Sequence, residues 1–184
     1  MLLREEAQFD LARRIRSREG APLGAVFSFL SGLYFRGKLA YAMRFAPDSV
    51  FVITPSAGLV APDRHVRRRD LLRYATVDIS LSEPAYLRPF TRDARRLARE
   101  FGVESEVVLL GSIATDKYCS VLLEIFGSRL LFPSDFVGRG DMSRGGLLLR
   151  AARDGRELAY AAVENAVRHG PRPGKLDPKT RVRP

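Results

Sequence analysis

Two runs of four consecutive apolar residues, Val50-Phe51-Val52-Ile53 and Val107-Val108-Leu109-Leu110, stand between stretches of helical periodicity. Strands that are apolar throughout are those buried on both faces, and these belong to parallel sheets covered by helices. The chain therefore predicts an α/β fold, with a mostly parallel central sheet flanked by helices on both faces and a single domain over residues 1–169. Further strands are expected at 77–81, ended by Glu83-Pro84, and at 129–132, stopped by Pro133. Helices are expected over 4–17, from a Ser31 cap to Phe45, over 92–101 from a Thr91 cap to Gly102, over 113–126 closing at Gly127, and over 142–153. A last helical piece is expected over 157–167. Ligands of such sheets bind at the carboxyl ends of the strands. Three loops would gather there: Thr54 to Asp63, Gly111 to Lys117, and Pro133 to Asp141.

Charge narrows the partners. The 184 residues include 31 Lys+Arg against 21 Asp+Glu, a net charge of +10. That excess attracts polyanions in a salt-dependent way. DNA, RNA and an acidic membrane surface all satisfy it, and so does a merely solubilising surface. No stretch approaches the ~18 apolar residues of a membrane span. Residues 1–18 lack an apolar signal core, and Cys119 is the single cysteine, so a cytoplasmic protein is expected. Residues 170–184 carry Arg172, Lys175, Lys179, Arg181 and Arg183 against Asp177, with four prolines. They read as an extended, mobile tail.

Several chemistries are not encoded. His65 and His169 form no H-x-x-x-H pair, and one cysteine makes no zinc cluster, so neither metal nor cofactor is expected. There is no G-x-S-x-G elbow. Cys119, one helical turn after Thr115, reads as a small buried residue rather than a nucleophile.

Four constellations remain. Gly138-Arg139-Gly140-Asp141-Met142-Ser143-Arg144 places glycines and two arginines at a helix start, where free N–H groups favour an anion and guanidinium groups grip phosphate. Asp141 would cap that helix, orient an arginine or accept from a base amino group. A glycine turn with a capped helix explains the same residues. Ser112, Thr115, Asp116, Lys117 and Tyr118 follow a buried strand and enter a helix, an arrangement that serves either a ligand or simple N-capping. Residues 54–63 are too apolar at their tip for an idle loop, with Ser56, Gly58 and Asp63 as possible contacts. Arg92, Arg95, Arg96 and Arg99 share one helical face and would track a phosphate backbone, and Arg64, Arg67, Arg68, Arg69 and Arg73 form a second basic cluster.

Three of these loops, in this order, resemble those of the family of the peroxide-stress protein YaaA. Its R-G-x-M-[SA]-R is fitted by Arg139-Gly140-Asp141-Met142-Ser143-Arg144. Its A-S-D-E-Y is fitted at Ala114, Asp116 and Tyr118, and Gly58-Leu59-Val60-Ala61-Pro62 matches part of a third loop. The family's opening S-P-A-K-T-like motif has no counterpart before Phe27. The resemblance implies a fold like that of uracil-DNA glycosylases, association with DNA, and a role in oxidative stress or DNA maintenance. On that reading Arg139, Arg144 and Lys117 contact phosphate or base, with Gly140, Ser143, Ser112, Thr115, Tyr118, Ser56 and Gly58 beside them. The alternative is an enzyme acting on a nucleobase or nucleotide, with Asp116 and Asp141 as candidate acids.

Overall fold

The computed structural model describes residues 2–168, 170–174 and 176. Helix α1 (Asp10–Arg16) leads through β1 (Ala21–Pro22) into a long helix α2 (Leu23–Phe45). Next come β2 (Val52–Ile53), β3 (Leu59–Val60), β4 (His65–Val66), α3 (Arg68–Ala75) and α4 (Pro84–Phe101). The chain continues with β5 (Val107–Val108), α5 (Asp116–Phe126), β6 (Leu130–Pro133), α6 (Asp141–Asp154) and β7 (Tyr160–Ala162).

This overturns the expected three-layer sandwich. About 52% of the described residues are helical, and among them the sheets hold only two or three short strands. β1 pairs with β4 and β2 with β3, both antiparallel. Among the described residues only β5 and β6 run parallel, with Val107 opposite Leu130, and β7 closes on β6 antiparallel. The uracil-DNA-glycosylase-like architecture is therefore not this protein's fold.

The misread segments have local causes. Val50 to Ile53 is not a central strand: Val52 is buried, but Phe51 and Ile53 are half-exposed. The run ends in a hairpin, whose turn is tied by the buried Thr54 hydroxyl, which donates to the Gly58 carbonyl at 2.9 Å and accepts from Ala57 N–H at 3.0 Å. Residues 77–81 form no strand, because their polar groups bond within the segment: Ser80 N–H donates to the Asp78 carbonyl at 3.0 Å, and Ser80 Oγ accepts from Ser82 N–H at 3.3 Å. Such side-chain and turn bonds offer the backbone an alternative to a ladder. Residues 157–167 hold β7 rather than a helix. The Tyr160 hydroxyl is 2.7 Å from that of Tyr41 and donates to Glu157 at 2.7 Å, pinning the segment to α2.

Helix α4 starts eight residues before its expected beginning. Pro84 occupies the first turn, where it costs no hydrogen bond, and the Glu83 carboxylate caps Ala85 N–H at 2.9 Å. Pro89 lies inside the helix, yet the stacked, fully buried rings of Tyr86 and Phe90 hold it there. Helix α2 is broken at Gly32, with φ +65° and ψ −144°, one residue after the expected Ser31 cap.

Among the described residues, two clusters of buried side chains result. One gathers Leu2, Ile15, Leu23, Val26, Leu71 and Tyr74 around α1, α3 and the first half of α2. The other joins Tyr41, Tyr86, Phe90, Leu122, Phe132 and Leu148 around α4, α5, α6 and the three-stranded sheet. The second half of α2 crosses α6 glycine against glycine. A Cβ on Gly37 would lie 2.6 Å from the Gly145 carbonyl oxygen, and one on Gly145 would lie 2.8 Å from Tyr34 Cα. His169 and most of the expected tail lie outside the described residues.

Candidate nucleic-acid interface

Of the three expected loops, 111–117 and 133–141 follow the adjacent parallel strands β5 and β6, whereas residues 54–63 belong to a separate sheet. Residues 54–63 sit on the β2–β3 hairpin against α4. There the Asp93 carboxylate, buried at 6% exposure, accepts Leu59 N–H at 3.1 Å and pairs with Arg92 at 2.8 Å. Gly58, at φ +71°, tucks beneath that carboxylate, where a Cβ would meet Asp93 Oδ2 and the Pro89 carbonyl. Ser56 is held by Arg73, whose Nε donates to its hydroxyl at 3.2 Å.

The 138–144 loop is largely occupied by its own bonds. Helix α6 begins at Asp141, with Gly140 rather than Asp141 in the cap position and no side-chain cap bond. Arg139 folds back, donating to the Asp135 carbonyl at 2.9 Å and to Ser143 Oγ at 3.3 Å. Arg144 is buried at 9% exposure. Its Nε and one terminal nitrogen donate to the Phe136 carbonyl at 3.2 and 3.1 Å, and the other nitrogen lies 3.6 Å from Asp141. It therefore holds the loop that precedes its own helix. Gly140 is open to solvent on its Cβ side.

Beside Arg144 lie two residues that periodicity alone marked as core or not at all. Tyr34 donates to the Leu110 carbonyl at 3.1 Å, at the end of the apolar run of β5, and Lys38 Nζ sits 4.0 Å over its ring. Burial pushes the Tyr34 phenol from 10.0 up to about 12, with the Arg144 charge pulling the other way. Burial lowers the Lys38 ammonium as well. A raised phenol favours the folded state while it stays neutral. That contribution is intact below pH 10 and is lost as pH rises from 10 towards 12, because the unfolded chain ionises first. Chemical unfolding of Tyr34→Phe should accordingly show a shallower alkaline decline than the parent. Burial also raises Tyr41, Tyr74, Tyr86 and Tyr160, so part of the decline remains.

Residues 111–118 reach this cluster through Tyr118, whose ring packs on Gly111. Ser112 Oγ accepts Ala114 N–H at 3.3 Å, Thr115 precedes α5 without a side-chain cap bond, and the Lys117 carbonyl accepts from Tyr86 at 2.9 Å. Asp116 pairs with Arg168 at 2.8 Å. It lines a shallow cavity with Lys117, Asp78 and Ser80, and Asp141 is not on that wall. The two candidate acids thus do not line one cavity, and each faces an arginine. Cys119 is buried, with its thiol pushed up to about 11 by burial, which leaves it protonated at neutral pH. Among the described residues, no group of three or more His, Cys, Asp or Glu is placed to hold a metal ion.

The arginines make a different site. Arg92, Arg95, Arg96 and Arg99 are all exposed along α4, while Ala94 and Leu97 are buried. Arg95 pairs with Glu124 and Arg96 with Glu100, in exposed geometry that contributes little. Arg96 also borders a groove of about 770 Å³, where it meets Arg64, Arg67, Arg69 and Arg73 from β4, α3 and the segments beside them. Five arginines thus face two carboxylates, Glu19 and Asp70. Asp70 is further engaged, accepting Arg67 N–H at 2.8 Å to cap α3. Among the described residues, Arg64 and Arg67 make no ion pair. Apolar side chains line the groove as well, with Phe51, Ala57, Leu59 and Val60 half-exposed and Tyr74 buried. Arg92, Arg95 and Arg99 are not on its wall. The apolar tip of residues 54–63 and the preceding apolar run were the signals that pointed to this apolar lining.

No family model, curated protein or solved structure matches the chain. Among the described residues, no helix is long and apolar enough to cross a membrane.

Proposed function

We propose that this protein binds nucleic acid, DNA before RNA, through the arginine-rimmed groove between β4, α3 and α4. The supporting observation is that Arg96 of α4 joins Arg64, Arg67, Arg69 and Arg73, which are distant from it in sequence, on one concave wall. Concave surfaces of one charge sign concentrate polyanions, and guanidinium groups grip phosphate with paired donors. The loop resemblance to the YaaA family supports the choice of DNA and adds a role in DNA maintenance under oxidative stress. A buried lone thiol suits the reducing cytoplasm.

The test is binding of labelled duplex and single-stranded oligonucleotides across a salt series. With three to five phosphate contacts, affinity should fall roughly a hundredfold between 50 and 200 mM salt. Replacing Arg64, Arg67 and Arg69 together by glutamine should flatten the log–log slope by about one unit per phosphate contact removed. Undetectable binding at low salt, or a slope near zero, sinks the reading.

A further inference from the structure

The groove carries more than charge. A duplex stacks its bases inside and offers a protein its phosphates and groove edges, so a half-exposed apolar lining would gain little from it. A single strand presents bare base faces beside its phosphates, and single-strand grooves pair a cationic rim with apolar or aromatic platforms. Phe51, Ala57, Leu59 and Val60 supply such an apolar lining, and Arg64, Arg67, Arg69 and Arg96 share the groove with it. At about 770 Å³ the space lies within the range of sites that enclose a small organic group. Of the polar groups on its wall, Asp70 is engaged by the Arg67 amide, and one His65 ring nitrogen lies 2.9 Å from the Glu19 carbonyl. Stacking on an apolar surface tolerates any base, since every base offers a face.

We infer that this groove takes a single-stranded segment of nucleic acid, seating an unpaired base on the Phe51–Val60 lining while the arginines hold the flanking phosphates, with little preference for base identity. This rests on the nucleic-acid reading above and assigns the form of its ligand.

The decisive measurement compares four probes at one salt concentration: a 15-nucleotide thymidine strand, the same strand with three central abasic sites, a 15-base-pair duplex, and thymidine monophosphate as competitor. The intact strand is expected to bind roughly tenfold more tightly than either the abasic strand or the duplex, the size of one base-stacking contact. An adenine strand should bind within a few-fold of the thymidine strand. Phe51→Leu, which keeps an apolar side chain and removes the aromatic face, should weaken the intact strand several-fold and leave the duplex unchanged. Duplex or abasic binding equal to that of the intact strand overturns this assignment but leaves the nucleic-acid reading standing. Competition by the mononucleotide at concentrations as low as the strand's own overturns it too, in favour of a nucleotide pocket. Failure of every probe to bind overturns the underlying reading instead.

Discussion

Alanine at Gly145 is expected to destabilise the fold by about 3 kcal/mol, at the upper end of overpacking penalties, whereas alanine at its neighbour Gly146 should be neutral or gain up to ~1 kcal/mol. Both lie in the middle of α6, so helix propensity favours alanine equally at the two positions. The difference is what a methyl would meet. At position 145 it would lie 2.8 Å from Tyr34 Cα and 2.9 Å from the Leu33 carbonyl oxygen, which are backbone atoms that cannot turn aside. At position 146 the nearest atom is the end of the Leu176 side chain at 3.5 Å, an ordinary contact. Urea unfolding of the two variants separates them directly, and equal midpoints would show that α2 and α6 do not cross this closely.

Arg144→Ala should lower stability by about 3 kcal/mol and leave the salt dependence of nucleic-acid binding where it was. The side chain gives two charge-assisted hydrogen bonds to the Phe136 carbonyl and lies over the Phe136 ring at 5.4 Å. Lysine should recover only a small part, because a single ammonium cannot reproduce the fork. A variant that kept its stability but lost a unit of salt slope would instead place Arg144 on a phosphate. The motif that resembles R-G-x-M-[SA]-R would then be a direct contact rather than a brace.

The chain announced those elements whose signals are local. Helices α5 and α6 appear within a few residues of their expected limits, and Gly102 and Gly127 end helices as expected. The strand at Leu130–Pro133 ends at its proline, and its partner at Val107–Val108 lies within the expected run. What failed was the inference from strands to sheet. An apolar run of four residues suits a buried strand, but equally one arm of a hairpin whose other face is covered by a helix, and periodicity does not distinguish them. β7 owes its state to Tyr160 meeting Tyr41 on α2, a contact more than a hundred residues away in sequence. The site was legible in the same partial way. Each arginine cluster could be read alone, the one on α4 from its i, i+3, i+4 and i+7 spacing and the one at 64–73 from its density of arginines. That Arg96 alone of the α4 stripe joins the other cluster could not, because it depends on how the β2–β3 hairpin seats between α3 and α4. Arg144 shows the opposite failure: the pattern around it was visible, while its burial was set by Phe136.

The crossing of Gly37 with Gly145 also bears on how the chain reaches its native state. More than a hundred residues separate the two glycines, so the contact closes a very long loop, and it can form only once both helices stand at the right angle. Closure entropy of that kind is met before the packing rewards it, which places this step late in folding and makes it slow relative to the helices themselves. Until then, the glycine notch of α2 stands without α6 against it. During synthesis that interval lasts until the chain has been made past residue 154, the end of α6.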